Sequence, residues 1–491
     1  MKVRIFPANQ TYFRFKISDS TIYDKINDRF SFELPVFLKN KYYEEKLSII
    51  KARNLLHVGL FWEFVEFLES NNIEYSIEGT ILQKEKIETQ TLQTFIERLK
   101  LLMELYQHQF DAVKTVIENK RSVILSPTSS GKSMIIAVLA GYFLCLKKNV
   151  GKKFMLIVPN KFLVNQMKMD IISYYRNSDI KIGDYIQCIH SEIPQKERDL
   201  TKPIIITTWQ SQKGTDFKFE KQFNNEFMST VEMLVYDEVQ YAAARESRYI
   251  IESAVDTPYK IGLTGTLYDD NEYKNTIIKG LFGDITQFIT TREMIDMGMA
   301  SELDIYQVKL DFGQEKPADY NGELEAVRES EAYLDYVLKL VGTQCKNGNT
   351  LVLHRGVKYG EKALQRFRQL FPGRECYLIN GGVLASKRQK IKEILEKKNG
   401  IVLFATYGTT STGVSIQNLQ YGVFLEGMKA NIKVIQALGR LLRKLDTKSK
   451  ATVFDFVPCF DKYGSLQDHG AIRLKQYQRE EHIIKSLCYK I

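Results

Sequence analysis

Two consecutive series of short apolar runs, separated by longer helix-like stretches, constrain the fold of this chain more than any other feature. The first series lies between about residues 100 and 300, and the second follows it. Apolar runs that alternate with helices are typical of a parallel sheet covered on both sides. The sequence therefore predicts an α/β fold with two parallel-sheet lobes. The runs are SVILS, KFMLIVP, IIITTW, EMLVYDE and YKIGLTG, then TLVLH, CYLIN, GIVLFAT, YGVFLEG and TVFDFV.

The first 85 residues have a different pattern, which predicts a smaller α/β unit. Two aromatic-rich, strand-like runs, RIFPANQTYFRF and DRFSFELPVFL, precede the helix-like GLFWEFVEFLESNNI. A chain of 491 residues also exceeds the usual size of one compact core. We predict a small α/β domain over 1–85, a first lobe over 86–300, and a second lobe over 301–491 that ends in a helical tail.

The balance of charges favours an anionic partner. Lysine and arginine number 69 and aspartate and glutamate 59, a formal net charge of +10. Nucleic acid is the commonest such partner, although many basic proteins bind no anion. The six cysteines have no close spacing, so we expect reduced thiols. No apolar run reaches membrane-spanning length and no signal peptide is evident, so we expect a cytoplasmic protein without a membrane partner.

The segment SPTSSGKS (126–133) predicts a phosphate-binding loop. It follows the strand-like RSVIL and opens the helix-like SMIIAVLAGYF, which is the context that a P-loop requires. Backbone N–H groups would hold phosphate oxygens, Lys132 would reach the β- and γ-phosphates, and Ser133 would ligate magnesium. An ordinary turn is the alternative, and a serine replaces the usual first glycine. The predicted ATP-binding residues of this loop are Ser126, Pro127, Thr128, Ser129, Ser130, Gly131, Lys132 and Ser133.

Adjacent carboxylates follow another apolar strand in LVYDEVQ (234–240). Asp237 would bind magnesium, and Glu238 would act as the general base that polarises the attacking water. Two acidic residues at a strand end also occur in solvated turns. Because a P-loop precedes them, the catalytic interpretation is favoured, and it implies ATP and Mg²⁺ as cofactors.

Together with these residues, several further motifs resemble those of superfamily 2 helicases, whose two lobes are RecA-like. Gln109 resembles the glutamine that reads adenine, because its amide offers both a donor and an acceptor; a polar residue on an amphipathic helix is the alternative. VPNKFLVNQM, ITTWQS, LVLHRGVKYG and ATYGTTSTGVSI resemble motif Ia, the strand-binding motif after it, motif IV and motif V. The resemblance implies an ATP contact by Gly413 and nucleic-acid contacts by Asn160, Lys161, Thr208, Gln210, Arg355 and Thr410.

QALGRLLR (436–443) has the Q-x-x-G-R-x-x-R pattern of motif VI. Gln436, Arg440 and Arg443, at i, i+4 and i+7, would share one face of a helix. By the resemblance, Gln436 contacts ATP, and the two arginines reach across the cleft and neutralise charge in the transition state. Arg443 is the stronger arginine-finger candidate. A basic helix face that forms salt bridges is the alternative.

LTGT (263–266) resembles motif III, which links the ATP site of such helicases to their nucleic-acid site. The fourth residue of the preceding DExH-type box is Gln240 instead of histidine. Its amide would still form a hydrogen bond to motif III, as histidine would. The predicted coupling residues are therefore Gln240, Thr264 and Thr266.

Within the superfamily, the chain resembles the phage recombination and repair helicases. The resemblance includes the GLFWEFVEFL helix near the N-terminus and HGAIRLKQY (469–477) in the tail. It implies an ATP-dependent DNA helicase or translocase that acts on forks, Holliday junctions, D-loops and R-loops in the host cytoplasm, with residues 1–85 as a DNA-binding accessory. Expected partners are branched DNA or duplex/single-strand junctions, RNA–DNA hybrids, and recombination or replication proteins. An RNA-directed helicase, an ATP-switched binding protein and the motor subunit of a nuclease complex are alternatives.

Overall fold

The chain folds into two compact units. Unit 1 consists of Met1–Ser126 and Gly131–Phe288, and unit 2 of Pro127–Ser130 and Ile289–Ile491. The computed structural model describes residues 2–38, 41–82, 84–212, 225–268, 271–411, 416–429, 432–441, 443–444, 448 and 450–491.

The N-terminal part of unit 1 is a small sheet packed against a helix. The strand order is β5-β2-β1-β6, and β3 and β4 form a separate antiparallel hairpin. Because side chains alternate along a strand, one face of β1 and β2 is apolar and fully buried. On this face, Phe13 and Phe15 lie 5.3 and 5.0 Å, between ring centres, from Phe64 of α2. The elements are β1 (Val3–Pro7), β2 (Tyr12–Lys16), α1 (Ser20–Arg29), β3 (Ser31–Leu38), β4 (Lys41–Ser48), β5 (Leu55–His57), α2 (Phe61–Ser70) and β6 (Tyr75–Ile77).

The rest of unit 1 is built on seven parallel strands with helices between them. The strand order is β13-β7-β12-β11-β8-β10-β9. Since β7, β12 and β11 are neighbours, the loops that follow them meet at one edge of the sheet, where α/β proteins bind ligands. The elements are α3 (Thr89–Arg98), α4 (Gln107–Asn119), β7 (Arg121–Leu125), α5 (Lys132–Cys145), β8 (Lys153–Val158), α6 (Lys161–Tyr174), β9 (Ile186–Ile189), β10 (Ile204–Thr208), α7 (Asn225–Ser229), β11 (Val231–Asp237), α8 (Arg245–Ser253), β12 (Tyr259–Thr264), α9 (Glu272–Phe282) and β13 (Ile285–Gln287).

The two sheets of unit 1 share one continuous apolar core. A Cβ atom at Gly59 would lie 2.0 Å from the carbonyl oxygen of Lys279, so only glycine allows this close approach to α9. The buried Lys260 amino group donates to the Thr11 hydroxyl at 2.6 Å, which ties β12 to the small sheet. The first 85 residues are thus packed as a part of unit 1.

Unit 2 contains a second seven-stranded parallel sheet, in the order β16-β17-β15-β18-β19-β14-β20. Helices pack on it through two apolar clusters. The elements are α10 (Thr291–Asp296), β14 (Glu302–Asp311), α11 (Tyr320–Glu329), α12 (Glu331–Gln344), β15 (Thr350–His354), α13 (Val357–Leu370), β16 (Cys376–Ile379), α14 (Ala385–Lys397), β17 (Val402–Thr406), α15 (Tyr407–Ser411), β18 (Tyr421–Phe424), α16 (Ile432–Leu441), β19 (Lys450–Cys459), α17 (Ser465–Arg479) and β20 (Ile483–Lys490).

The predicted fold class, two RecA-like parallel-sheet lobes with a small N-terminal α/β region, is confirmed, and every one of the ten apolar runs contains a strand. Four strands in the two large sheets had no apolar run to mark them. Three of these, β9, β13 and β20, lie at sheet edges, where less burial permits polar residues. The fourth, β14, is interrupted by Asp304, Gln307 and Lys309. None of the helices in the described part of the chain combines the length and apolar character needed to cross a bilayer.

Candidate active site

The loop between β7 and α5 has the backbone shape of an anion cradle. Ser129 and Gly131 have φ angles of 72° and 84°, in the left-handed region that a serine rarely adopts. The N–H of Ser126 donates to the carbonyl of Thr264 at 2.8 Å, which fixes the start of the loop beside β12. Helix α5 begins at Lys132, so its N–H groups and positive dipole end lie at the end of the loop. Pro127, Thr128 and Ser130 complete the loop.

Gln109 lies against this loop. A Cβ atom at Gly131 would be 2.1 Å from the Gln109 Nε2 atom, so the glycine is required by its neighbour as well as by its φ angle. The Gln109 Oε1 atom accepts a hydrogen bond from the Tyr106 N–H at 3.0 Å, in the first turn of α4. The structure therefore places this amide beside the P-loop, and its recognition of adenine stays a prediction.

Lys132 and Ser133, which the sequence predicts to bind phosphate and magnesium, each contact another group of the protein. The Lys132 amino group donates to the Ser126 carbonyl at 2.9 Å. The Ser133 hydroxyl lies 2.8 Å from the hydroxyl of Tyr174, the last residue of α6. Either hydroxyl can donate in this pair, and in both cases the serine oxygen keeps at least one lone pair for a metal. Tyr174 carries no sequence signal, because only the packing of α6 on α5 brings it to the loop.

The two carboxylates stand at the end of β11, beside β12. Asp237 is half-buried, and burial, together with the charge of Glu238, raises its pKa to about 7 against the opposing charge of Lys132. The N–H of Glu238 donates to Asp237 at 3.1 Å. Glu238 itself has a φ angle of 56°, a strained conformation of the kind that concentrates at functional sites. Lys132 and Asp237 are thus close enough to interact electrostatically.

Gln240 connects the candidate general base to motif III. It is fully buried, and its Nε2 donates to the Glu238 carboxylate at 2.7 Å. The Thr264 hydroxyl lies 2.6 Å from the Gln240 Oε1 atom and 2.7 Å from the Thr266 carbonyl, and the Thr266 N–H donates back to that hydroxyl at 3.0 Å. The hydrogen bond that the sequence predicts between Gln240 and motif III is therefore present. The Tyr268 hydroxyl, which the sequence did not indicate, donates to the Gln240 carbonyl at 2.8 Å.

This donor set fits a magnesium–nucleotide complex. Magnesium prefers hard oxygen ligands, keeps several waters, and is usually held by one or two protein groups together with substrate phosphates. Ser133 and Asp237 supply such oxygens beside a loop with an anion-binding shape. Among the described residues no cluster of three or more His, Cys, Asp or Glu side chains could hold a metal by itself.

The motif VI residues differ from their predicted placement. Helix α16 ends at Leu441, so Arg443 lies beyond it and does not share its face with Arg440, as the i, i+4, i+7 spacing had suggested. The reason is a tertiary contact: the backbone of Arg443 bridges to Ala300, and its carbonyl accepts from the Ser301 hydroxyl at 3.3 Å. Gln436 and Thr410 lie within α16 and α15, and Gly413 lies outside the described residues.

A buried carboxylate in unit 2 was missed by sequence reasoning. Glu426 follows β18 and accepts from the Arg328 side chain at 2.7 Å and from the N–H groups of Arg355 and Gly356 at 2.7 and 3.2 Å. It therefore fixes the turn that presents the exposed side chain of Arg355, which lies over the ring of Tyr320. The available signal was an acidic residue directly after an apolar strand, as in LVYDE.

The nucleic-acid candidates of motif Ia have structural roles of their own. Asn160 caps α6 by accepting from the N–H groups of Phe162 and Leu163 at 3.0 and 3.1 Å. Its Nδ2 atom is buried and has no hydrogen-bond partner in the described part of the chain. Lys161 is exposed and forms an ion pair with Glu192. Asn160 thus orients the turn, and Lys161 is the more accessible cation.

The two nucleic-acid candidates that follow β10, Thr208 and Gln210, also differ in exposure. The Thr208 hydroxyl is buried and lies 2.8 Å from the Ser211 hydroxyl, so it stabilises the turn. Gln210 is exposed, with its amide 3.5 Å from the Pro159 carbonyl. Contact of each with nucleic acid stays a prediction.

Two RecA-like sheets with a P-loop, an Asp-Glu pair and motif III at adjoining strand ends are the features of the ATP-dependent helicases of superfamily 2, which this chain resembles. The comparisons with known proteins bear out the prediction of an ATP-dependent helicase. The family model "Type III restriction enzyme, res subunit" matches residues 102–269, which include all three motifs. The structure of S. cerevisiae Dbp5 bound to RNA and ADP BeF3 superposes with a TM-score of 0.54 at 15% identity, over 82% of this chain and 94% of that one, and shows the fold.

Within this class, the chain is similar along its whole length to UvsW. The ATP-dependent DNA helicase UvsW of Enterobacteria phage T4 is 27% identical over 99% of this chain and 95% of the relative. The crystal structure of T4 UvsW matches with a TM-score of 0.50 and 25% identity, and each chain is covered completely. The predicted resemblance to this branch of the superfamily is therefore confirmed.

Proposed function

We propose that this protein is an ATP-dependent DNA helicase that remodels branched DNA, namely forks, Holliday junctions, D-loops and R-loops, in the host cytoplasm. The similarity to a phage DNA helicase supports this function along the whole chain, including the N-terminal region that a minimal motor does not need. Within the site, the observation that carries the proposal is the chain of contacts from Glu238 through Gln240 to Thr264, because it links hydrolysis to motif III.

In the proposed reaction, ATP supplies the phosphoryl group, and magnesium neutralises the charge on its β- and γ-phosphates when both are bound. With the nucleotide bound, Lys132 would donate to phosphate oxygens in place of the Ser126 carbonyl, and Ser133 and Asp237 would hold the metal. Glu238 orients the attacking water and accepts its proton. Gln240 donates a hydrogen bond to one oxygen of the Glu238 carboxylate, and the other carboxylate oxygen can then accept a hydrogen bond from the attacking water.

The remaining candidates complete the proposal. Gln109, Gln436 and Gly413 contact the nucleotide, and Arg440 and Arg443 stabilise phosphate charge in the transition state. Asn160, Lys161, Thr208, Gln210, Arg355 and Thr410 contact the DNA backbone. Contacts of this kind carry no base information, so binding is largely independent of sequence.

The test is an ATP-dependent unwinding assay on forks, four-way junctions, D-loops and R-loops, with Lys132→Ala as the inactive control. We expect the wild-type protein to remodel at least one branched substrate and Lys132→Ala to remodel none while it keeps the wild-type melting temperature. ATP turnover that is indifferent to both DNA and RNA would disprove the motor. Stimulation by RNA alone would assign the protein to the RNA-directed alternative.

A further inference from the structure

The small N-terminal sheet has an open face with a composition opposite to that of its buried face. Side chains of β1 and β2 alternate, so the residues between the buried positions point away from the core. Three of these outward side chains are exposed and three are half-buried. They are Lys2, Arg4, Phe6, Tyr12, Arg14 and Lys16.

Phe6 organises the cations of this face. It pairs with Arg14 across the two strands, as Arg4 pairs with Lys16. The Arg14 guanidinium and the Lys16 amino group lie 6.0 and 5.4 Å from the centre of the Phe6 ring, within reach of a cation–π interaction. The ring is therefore covered by cations and not available for a stacked base.

One of these cations, Arg14, has no carboxylate partner in the described part of the chain. Arg4 forms an ion pair with Glu78 at 2.7 Å, and Lys16 interacts electrostatically with the same carboxylate without forming an ion pair. The Arg14 Nε atom is buried without a hydrogen-bond partner among the described residues. A guanidinium that is partly desolvated and unpaired is poised for a charge-assisted hydrogen bond to an anion.

The helical side of the same region carries the opposite charge. Asp24 of α1 and Glu66 and Glu69 of α2 are exposed there, and Lys25 is an exposed cation among them. A polyanion is therefore attracted to the sheet face and repelled by the helices. This difference in charge between the two sides of the region orients the DNA as well as attracting it.

We propose that the open face of β1 and β2 binds the phosphate backbone of a duplex arm of the branched substrate, with Arg14 and Lys16 as the phosphate ligands. The inference rests on the proposed function only in that DNA is the substrate. The Phe6 ring lies beside both cations and is not free to stack on a base. We therefore expect this face to bind phosphates and not unstacked bases.

The test is the salt dependence of binding to a forked DNA with long duplex arms. Each phosphate contact contributes a slope of about −0.9 to log K against log salt. The double variant Arg14→Gln/Lys16→Gln should therefore reduce the magnitude of the slope by about 1.8 and weaken binding about tenfold at low salt. Lys25→Gln, on the helical side, is the matched control and should change neither quantity.

The outcomes separate this inference from the proposed function. We expect single-stranded DNA to stimulate ATP turnover equally in the wild-type protein and the double variant. An unchanged salt slope would overturn the duplex-binding face even if the wild-type protein unwinds forks. An equal loss of affinity for single-stranded DNA would overturn it too, because the cations would then belong to the path of the tracking strand. If no DNA stimulates the wild-type enzyme, the proposed function itself fails.

Phe6→Leu gives an independent check, since it keeps an apolar side chain but removes the ring. Arg14 and Lys16 remain, but their positions are less well fixed without the ring. We therefore expect the affinity for forked DNA to fall about threefold, the size of a cation–π interaction at an exposed site. The slope of log K against log salt should not change. Wild-type affinity in this variant would overturn the role of Phe6 as the support of the two cations.

Discussion

Two glutamates follow buried strands in the two units, and their surroundings are opposite. Glu238, after β11, has a strained backbone, is partly exposed, and accepts one side-chain hydrogen bond, from Gln240. Glu426, after β18, is buried and accepts from Arg328 and from two backbone N–H groups. A carboxylate whose acceptor sites are filled fixes a loop, whereas one with a free oxygen can take a proton from water. The comparison teaches that the same sequence pattern, an acid after an apolar strand, gives an acceptor suited to the proposed catalysis in one unit and a structural carboxylate in the other.

The sharpest test of this contrast is Glu238→Gln. Loss of the general base should lower DNA-stimulated ATP turnover about a thousandfold, or about 4 kcal/mol of transition-state stabilisation. The melting temperature should stay within about 2 °C, because a partly exposed side chain with one hydrogen bond is replaced by its isostere. Steady-state turnover and thermal melting of one preparation measure both. A variant that melts early but retains turnover would reverse the assignment.

In unit 2, the buried ion pair between Arg473 of α17 and Asp455 of β19 supports the segment after Glu426. Arg473 donates to Asp455 at 2.7 Å and also to the carbonyl of Met428. Asp455→Asn should cost about 3 kcal/mol of unfolding free energy, because it leaves a buried guanidinium without its counter-charge. Denaturant unfolding checks this value. An effect on turnover without loss of stability would show that the pair belongs to the chemistry.

Glu426→Gln tests the architectural carboxylate directly. The amide keeps one acceptor oxygen but places an NH₂ group against either Arg328 or the backbone N–H groups, so we expect a loss of about 2 kcal/mol. The matched comparison is Glu238→Gln, which makes the same chemical change at a partly exposed site. Equal stability losses in the two variants would remove the contrast.

Gln240 should affect coupling more than hydrolysis. In Gln240→Leu the contacts to Glu238 and Thr264 are lost, so we expect DNA stimulation of turnover to fall about tenfold, or about 1.4 kcal/mol, while the basal rate changes little. Gln240→His, which restores a donor and an acceptor, should recover most of the stimulation. Full stimulation in the leucine variant would mean that the hydrogen bonds to motif III do not transmit the signal.

The smallest effect concerns a third satisfied carboxylate, Glu252 of α8. Burial alone would raise its pKa, but hydrogen bonds and charges from His57 and Lys51 lower the pKa from 4.5 to about 2. Its stabilising contribution is complete above pH 4.5 and is lost as the pH falls towards 2, with about 1 kcal/mol lost between pH 5 and pH 3.5. The difference in stability between the wild type and Glu252→Gln should therefore shrink over this interval. A difference that grows on acidification would contradict the assignment.

The sequence alone indicated ten strands of the two large sheets, because a buried parallel strand must be apolar on both faces. It also indicated the P-loop, the Asp-Glu pair and motif III, since these follow strands that it marks. Of the edge strands, β16 was marked, but β9, β13 and β20 were not, because partial burial permits polar residues there. The motif VI helix was predicted two residues too long, because the bridge from Arg443 to Ala300 joins residues far apart in the chain.

What the sequence determined by itself is the order of the motifs and the chemistry that each residue type permits, since these depend on local periodicity and side-chain groups. Only the tertiary structure decided which groups are used, because burial and hydrogen-bond satisfaction depend on partners distant in the chain. Tyr174 reaches Ser133 through helix packing, and Glu426 accepts a hydrogen bond from Arg328 of α11. For the same reason, residues 1–85 became a part of unit 1 through the buried Arg121, which donates to the Gln10 carbonyl, and the buried Lys260, which donates to Thr11, contacts that no local pattern reveals.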